Sequence, residues 1–247
     1  MRLTVLGCSG TFPSQEGGCS AYLVEHDGFR LLLDAGNGAI GAMQRHIGLF
    51  DLDAVLLSHL HADHCIDLVA YSYARRYHPD PPPRLVVHGP TGTAPRLSQV
   101  FDKPPPDGLH EVYDFRTTSA GRTGIGPFDI TLTRTAHPIE CYAMTITAGG
   151  KTITYSADTG PSDDVARAAK GSDVFLCEAT WLDDSETVPN LHMTAREAGR
   201  HAAQADVGRL AIIHTTAYLD QDAYAAQASE EYDGPVERAY PGLTFDL

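Results

Sequence analysis

The sequence has no long apolar run, no paired-cysteine motif and no excess of basic residues. Nowhere in its 247 residues does an uninterrupted stretch approach the ~18 apolar residues of a transmembrane helix. Residues 1–7 lack a long hydrophobic region and an Ala-x-Ala-like cleavage site, so a secretory signal is not predicted. These absences predict a cytoplasmic protein with no membrane partner.

Basic residues are scarce: 18 Lys and Arg stand against 32 Asp and Glu, for a net charge of −14. Proteins that bind DNA or folded RNA over a large surface normally carry a basic face. The sequence shows no Lys/Arg cluster beyond Arg75-Arg76. We therefore expect no DNA partner and disfavour tRNA, whereas a small anionic substrate is compatible with the charge.

The two arginines and three nearby tyrosines are predicted to have structural rather than substrate-binding roles. Arg75 and Arg76 are expected at the solvated end of a helix rather than on a phosphate. Tyr71, Tyr73 and Tyr77 recur at near-helical spacing, which favours packing over stacking on a base.

The five cysteines are odd in number and scattered, with no Cys-x-x-Cys pair. This usage is typical of a reducing compartment, where each cysteine is a small buried or half-buried residue. No nucleophilic role is predicted for Cys8, Cys19, Cys65 or Cys141, because no basic partner lies near them in the sequence. The cysteines are Cys8, Cys19, Cys65, Cys141 and Cys177.

Strand and helix patterns come in groups along the chain, and its 43% hydrophobic content is ordinary for a globular core. Strands are predicted over 3–6, 21–25, 29–33, 54–57, 84–88, 111–116, 128–135, 142–148, 151–156, 174–177 and 210–213. Helices are predicted over 39–46, 65–77, 93–101, 162–169, 194–205 and 220–232, with Ser162 and Thr194 as N-caps. Nothing indicates a linker or a repeat, so we expect one α/β domain over 1–247, with two sheets inside and helices outside.

The stretch Ser58-His59-Leu60-His61-Ala62-Asp63-His64, called the metal loop below, places three imidazoles and a carboxylate within six residues. It follows the apolar run 54–57, which is typical of a buried strand, so these groups lie at that strand's C-terminal end. His59 and His61 leave an extended backbone on the same side. Asp63 and His64 follow where the chain turns, and they point a second way. This mixture of nitrogen and oxygen ligands suits zinc, with manganese or iron as alternatives.

Three further candidate ligands, His137, Asp158 and His214, follow other predicted core strands. The C-terminal ends of strands are where α/β proteins usually place ligand-binding groups. Singly, each is more often a capping or hydrogen-bonded residue. Together with the loop, they predict a site for two metal ions.

The order of these motifs resembles that of the metallo-β-lactamase superfamily over essentially the whole chain. The resemblance implies an αββα sandwich, in which two packed mixed sheets have helices outside. Asp34 in Leu33-Asp34-Ala35-Gly36 also matches a family motif, whose carboxylate supports the metal loop without binding the metal. The matching residues are His59-x-His61-x-Asp63-His64, His137, Asp158 and His214.

Two further motifs resemble the ribonuclease-Z-like branch of that superfamily. They are Cys177-Glu178-Ala179-Thr180 and Leu191-His192-Met193-Thr194. The first departs from the branch's usual His-Glu-Ala-Thr at Cys177 but keeps the glutamate. Within the branch, the turns Leu6-Gly7-Cys8-Ser9-Gly10, Arg75-Arg76-Tyr77-His78-Pro79 and Phe175-Leu176-Cys177-Glu178-Ala179 resemble actinobacterial atypical class II cyclic-nucleotide phosphodiesterases.

The resemblance implies two Zn²⁺ per chain. One ion would be held by His59, His61 and His137, the other by Asp63, His64 and His214, with Asp158 as the bridge. Two metals about 3.5–4 Å apart can share a hydroxide, lower its pKa towards neutrality and present it to phosphorus. The implied catalytic residues are Asp63, Glu178 and His192, where His192 protonates the leaving alkoxide and Glu178 keeps it oriented and protonated.

The expected function is that of a metal-dependent phosphodiesterase acting on a small phosphodiester, with a 3′,5′-cyclic nucleotide (cAMP or cGMP) as the first candidate. Ribonuclease Z-type tRNA 3′-processing is the alternative. That enzyme binds tRNA with an inserted flexible arm, and the interval 160–173 predicts only a short capped helix. A thioesterase or lactam hydrolase would leave Glu178 and His192 without an evident role. Relatives of the branch are often homodimers, so a homodimer is expected.

Overall fold

Alternation of side chains along the strands separates an inner core from an outer one. The structure is a computed structural model that describes residues 1–101 and 109–247. In the strand Ala21–His26, Tyr22 and Val24 enter a core cluster shared by both sheets, whereas Ala21 and Leu23 enter a second cluster under the helices. Successive side chains on a strand point to opposite faces, so each sheet buries one face against its partner and the other against helices.

The first sheet consists of β1 Arg2–Ser9, β2 Gly18–Cys19, β3 Ala21–His26, β4 Phe29–Leu33, β5 Ala54–Leu56, β6 Leu85–Gly89, β7 Tyr113–Thr117 and the last strand of the chain, β15 Thr244–Asp246. Its order is β15-β1-β3-β4-β5-β6-β7, with β2 beside β1. The segment from β4 to β7 is parallel, whereas β15, β1, β3 and β4 pair antiparallel.

The second sheet consists of β8 Gly121–Ile125, β9 Phe128–Arg134, β10 Tyr142–Ala148, β11 Lys151–Tyr155, β12 Val174–Glu178, β13 Leu210–Ile213 and β14 Val236–Arg238, in the order β14-β13-β12-β11-β10-β9-β8. The helices are α1 Ala39–Met43, α2 Ala62–Cys65, α3 Asp67–Tyr77, α4 Thr93–Val100, α5 Asp163–Ala168, α6 Ala195–Ala205 and α7 Gln221–Ser229. The first four pack outside the first sheet and the last three outside the second. The predicted αββα sandwich is therefore confirmed.

The differences from the predicted elements are local. The strands β2, β8, β14 and β15 were not predicted, because three of them have only two or three residues and β8 carries two glycines. The predicted helix 65–77 is two helices that meet at Ile66, and the helix predicted to reach residue 232 ends at Ser229. Within the described residues, no helix combines the length and apolarity needed to cross a bilayer.

The interpretation of Arg75 as a solvated residue is wrong. Its side chain is buried, and the guanidinium donates to the hydroxyl of Tyr71 at 3.2 Å and to the carbonyl of Pro83. It also lies 5.9 Å from the ring centroid of Phe50. The proline-rich segment after α3 turns back over the helix, so the carbonyl of Pro83 takes the place that water was expected to hold.

Arg76, Tyr73 and Tyr77 also depart from expectation, whereas Tyr71 does not. The guanidinium of Arg76 pairs with Glu111, and its side chain is only 11% exposed. Tyr71 is buried, as predicted for a packing residue. Tyr73 and Tyr77 are exposed and stack on each other with ring centroids 6.0 Å apart, because they lie on the side of α3 away from the sheet.

Two local predictions have clear outcomes. Thr194 caps α6 through a capping box in which its hydroxyl accepts from the Glu197 amide and the Glu197 carboxylate accepts from the Thr194 amide. Ser162 occupies the N-cap position of α5, but its hydroxyl makes no capping hydrogen bond. All five cysteines are buried and unpaired, and burial raises the pKa of Cys8 and Cys65 to about 12, which keeps these thiols protonated at neutral pH.

Candidate metal centre

The predicted site residues gather where the C-terminal ends of strands from both sheets meet. The metal loop follows β5 of the first sheet, and the backbone amide of Tyr142 in the second sheet donates to the Ser58 carbonyl at 3.1 Å. This bond ties the start of the metal loop to the edge where the second sheet presents its own candidates. These candidates are His137 after β9, Asp158 after β11, Glu178 at the end of β12 and His214 after β13.

Three imidazoles converge on one point. Nδ1 of His61 lies 3.1 Å from Nε2 of His59 and 3.2 Å from Nε2 of His137. Nδ1 of His137 lies 3.1 Å from the carbonyl of Leu191, which only accepts, so Nδ1 carries the proton. Nδ1 of His59 lies 3.0 Å from the hydroxyl of Ser58. The ring nitrogens that face each other therefore mainly carry lone pairs rather than protons.

Burial is the main influence on these three imidazoles. It lowers the pKa of His59, His61 and His137, the last to about 4, which favours the neutral form that metals bind. Lone pairs in such close approach repel one another unless a cation lies between them. This cluster is a suitable three-nitrogen set for one metal ion.

A second cluster adjoins the first. Oδ2 of Asp63 lies 3.2 Å from Nε2 of His214 and 3.6 Å from Nε2 of His64. Nδ1 of His214 lies 2.8 Å from the hydroxyl of Thr180, which leaves Nε2 turned towards the cluster. Burial lowers the pKa of His64, but the flanking carboxylates Asp158 and Asp34 outweigh it and raise the pKa overall. A cation there competes with that proton, so metal affinity should weaken as pH falls.

Asp158 lies between the two clusters. Its Oδ2 is 3.4 Å from Nε2 of His59, and its Oδ1 is 3.2 Å from Nε2 of His64 and 3.5 Å from Nε2 of His214. Although these two atoms are 3.2 Å apart, Oδ1 of Asp158 and Nε2 of His64 are buried and neither makes a hydrogen bond within residues 1–101 and 109–247. Buried polar atoms are nearly always satisfied, so these two atoms indicate that an ion belongs between them. These imidazole nitrogens and carboxylate oxygens suit a divalent metal ion.

Asp34 supports the metal loop through hydrogen bonds to its backbone and side chains. Its buried carboxylate accepts from the amide of Ser58, the hydroxyl of Ser58, the hydroxyl of Tyr155 and Nδ1 of His64, each at 2.7 Å. A proton on Nδ1 of His64 leaves the Nε2 lone pair for a metal, so this contact fixes the tautomer. Asp34 therefore occupies the supporting position that was predicted for it.

Asp34→Asn is expected to weaken zinc binding by about 10–100-fold, because the amide cannot supply the negative charge that orients His64. Competition with a chromophoric chelator measures the affinity. Asp129→Asn, on an exposed position of β9, is the matched control and should bind as the unaltered protein does. Unchanged affinity in Asp34→Asn would show that Asp34 only packs.

Glu178 and His192 form a pair beside the clusters. Nδ1 of His192 lies 2.8 Å from Oε1 of the fully buried Glu178. Glu178 also accepts from the backbone amides of Thr159 at 2.9 Å and Thr180 at 3.1 Å, which fixes its orientation. Burial lowers the pKa of His192, but the charge of Glu178 outweighs it and raises the pKa to about 9.

His192 stands close enough to the clusters to act on a bound molecule. Its ring centroid is 5.1 Å from that of His214 and 5.8 Å from that of His137. With Asp158 and His214 it also forms a group whose donor atoms lie within 4.8 Å of one another. The geometry therefore allows His192 either a proton-transfer role or a ligand role.

Several supporting groups were not predicted. The amide of Thr11 donates to Oδ2 of Asp63 at 2.9 Å, and the Leu191 carbonyl holds His137. Backbone groups carry no residue-type signature, and for the first contact the available sequence signal is the neighbouring Gly10. A Cβ on Gly10 would lie 2.6 Å from the carbonyl oxygen of His214, which explains the requirement for glycine.

Comparison with known proteins places this centre in a family. An uncharacterized protein of Mycobacterium leprae is 40% identical over 253 residues, covering 100% of this chain and 89% of that protein. The probable metallo-hydrolase YhfI of Bacillus subtilis is 30% identical over the full length of both chains, and its crystal structure superposes with a TM-score of 0.88 over 99% of this chain and 98% of that one. Ribonuclease Z of Haloferax volcanii is 28% identical, covering 100% of this chain and 95% of that enzyme.

The sequence pattern of the beta-lactamase superfamily domain matches residues 29–215, which include the metal loop, His137, Asp158, Glu178, His192 and His214. The matched stretch covers most of the chain. The chain therefore belongs to the beta-lactamase superfamily and is a metallo-hydrolase with the fold of that family.

Proposed function

We propose that the chain is a dinuclear metal-dependent phosphodiesterase that hydrolyses a small phosphodiester, with a 3′,5′-cyclic nucleotide as the first candidate. The observation that carries the proposal is the Glu178–His192 pair beside the metal clusters. Phosphodiester hydrolysis expels an alkoxide that needs a proton, and a buried acid next to the metals is suited to supply it.

The metal ligands in this proposal are those that the sequence predicted. His59, His61 and His137 would hold one ion, Asp63, His64 and His214 the other, and Asp158 would contact both. Zinc is our first choice, since imidazole nitrogen and carboxylate oxygen suit it. Divalent ions in this position supply Lewis-acid activation of water and neutralise charge on phosphate oxygens.

Glu178 and His192 supply the proton that the leaving oxygen needs. Glu178 accepts from Nδ1 of His192, so the proton to be transferred resides on Nε2. The charge of Glu178 raises the pKa of His192, which favours the protonated imidazolium that donates to the leaving oxygen. The amides of Thr159 and Thr180 hold Glu178 in place, so the acid is positioned before substrate binds.

Charge and surface favour a small substrate over tRNA. The net charge is −14, and both adjacent arginines are engaged within the fold, Arg75 with Pro83 and Arg76 with Glu111. The interval 160–173 holds the six-residue helix α5. Similarity to ribonuclease Z keeps tRNA processing as the competing assignment.

A turnover panel on zinc-loaded protein tests the proposal. It compares bis(p-nitrophenyl) phosphate, cyclic AMP, cyclic GMP, a pre-tRNA with a 3′ trailer and a thioester, each with and without chelator. We expect chelator-sensitive cleavage of the cyclic nucleotides. Cleavage of the pre-tRNA alone would assign ribonuclease Z activity, and thioester turnover without any phosphodiester cleavage would overturn the phosphodiesterase.

Three further predictions remain: a single domain over 1–247, a cytoplasmic location and a homodimer. Light scattering in solution tests the last, since a homodimer has twice the chain mass of 26.6 kDa.

A further inference from the structure

A cavity of about 310 Å³ opens beside the metal centre and contains His61 in its wall. Ligand pockets start at about 300 Å³, are mainly apolar and carry a few polar groups that fix orientation. This cavity follows that composition: Leu60, Pro90 and Ile139 form apolar walls, and Arg96 and Glu140 supply the charges. Its size suits one small molecular fragment.

The cavity and the metal centre are built from the same loops. Leu60 lies between His59 and His61 of the metal loop. In the second sheet, the amide of Thr135 donates to the carbonyl of Cys141 at 3.1 Å and closes the loop that carries His137 and Ile139. A molecule held by the metals is therefore directly next to the cavity.

The two charged residues of the cavity do not neutralise each other. Among the described residues, the guanidinium of Arg96 has no hydrogen-bond or ion-pair partner, and Glu140 is held by the hydroxyl of Tyr142 at 2.7 Å. The planar guanidinium of Arg96 and the carboxylate of Glu140 therefore line one apolar space. Both groups can make further hydrogen bonds. This arrangement suits a flat aromatic group that carries both ring acceptors and an N–H.

On the basis of the proposed function, we propose that this cavity binds the base of a nucleotide whose phosphate lies at the metal centre. Arg96 donates to ring or carbonyl acceptors of the base, Glu140 accepts from its N–H, and the apolar walls cover its faces. Arg96 and Glu140 are then specificity-determining residues. The substrate class is a nucleoside cyclic phosphate rather than a simple alkyl phosphodiester.

The test compares phosphodiesters that carry a base with one that carries none. Cyclic AMP and cyclic GMP carry a base, whereas the non-reacting half of methyl p-nitrophenyl phosphate is a methyl group. Arg96→Met should lower kcat/KM for the cyclic nucleotides by about tenfold or more, because it removes charged hydrogen-bond donors, and leave the methyl ester unchanged. Arg45→Met, at an exposed position after α1, is the control and should change neither.

A second cavity provides the competing location. It measures about 320 Å³ and is lined by Phe12 and Tyr218, whose exposed rings stack with centroids 6.2 Å apart. A loss of nucleotide cleavage in Tyr218→Ala with no change in Arg96→Met would place the base there and overturn the inference. Glu140→Gln should lower cyclic AMP cleavage but not cleavage of the cyclic phosphate of purine riboside, whose base has no N–H.

Failure of this inference is distinguishable from failure of the proposed function. Turnover of the methyl ester without turnover of cyclic nucleotides would leave the phosphodiesterase chemistry standing and overturn the nucleotide assignment. If no phosphodiester is cleaved, the proposed function fails, and calorimetric titration with AMP and GMP decides the inference. Binding that is lost in Arg96→Met would support the cavity assignment, and absence of binding would overturn it.

Discussion

His192→Ala is expected to keep the metal ions bound and to lower kcat for a cyclic nucleotide by about 10²–10⁴-fold, the usual contribution of a general acid. The contact between Nδ1 of His192 and Glu178 leaves Nε2 to donate to the leaving oxygen. Metal analysis and steady-state kinetics measure the two quantities separately.

The leaving group provides a sharper test of the same role. An alkoxide needs a proton as it leaves, whereas p-nitrophenolate is stable without one. His192→Ala should therefore damage cyclic-nucleotide cleavage far more than cleavage of bis(p-nitrophenyl) phosphate. Glu178→Gln should show the same asymmetry with a smaller loss, since it removes the charge that raises the pKa of His192.

The competing role of His192 is that of a ligand, because its donor atom lies within 4.8 Å of those of Asp158 and His214. A metal-depleted His192→Ala protein would establish that role and remove His192 as the acid. His110→Ala, at an exposed position, is the control for general effects of losing an imidazole and should keep both metal and activity.

Asp158→Ala is expected to deplete both metal ions together and to abolish turnover. One carboxylate oxygen faces His59 of the first cluster, and the other faces His64 and His214 of the second. In the proposed dinuclear site, removal of the side chain would take a ligand from each ion and the negative charge that offsets both. Elemental analysis after dialysis against limiting zinc measures the occupancy.

Because Asp158 is buried, its loss could also affect folding, so Asp158→Asn accompanies it. The amide keeps the shape of the side chain and should retain the circular dichroism spectrum while still losing metal. Asp129→Ala on the exposed side of β9 is the matched control. Loss of a single metal equivalent in both Asp158 variants would show that the residue does not bridge.

The amino-acid sequence by itself determined the order of the core strands along the chain and the candidates at their ends. Apolar runs followed by His, Asp or Glu mark strand ends locally, so His137, Asp158 and His214 could be selected without coordinates. Paired motifs such as Thr194 with Glu197 are equally local, and the capping box was predictable for that reason. The resemblance to the superfamily then supplied the expected division of the ligands into two groups.

Tertiary structure decided what depends on contacts between distant parts of the chain. The sequence around Arg75 is typical of a solvated helix end, but a proline-rich turn brings the Pro83 carbonyl over its guanidinium. Thr11 reaches Asp63, 52 residues away, through a backbone amide that no residue type announces. The hydroxyl of Tyr155 in the second sheet donates to Asp34, which directly follows β4 of the first sheet. Hydrophobic periodicity is a property of neighbouring residues, whereas these contacts, and the cavity beside His61, arise only when the two sheets pack against each other.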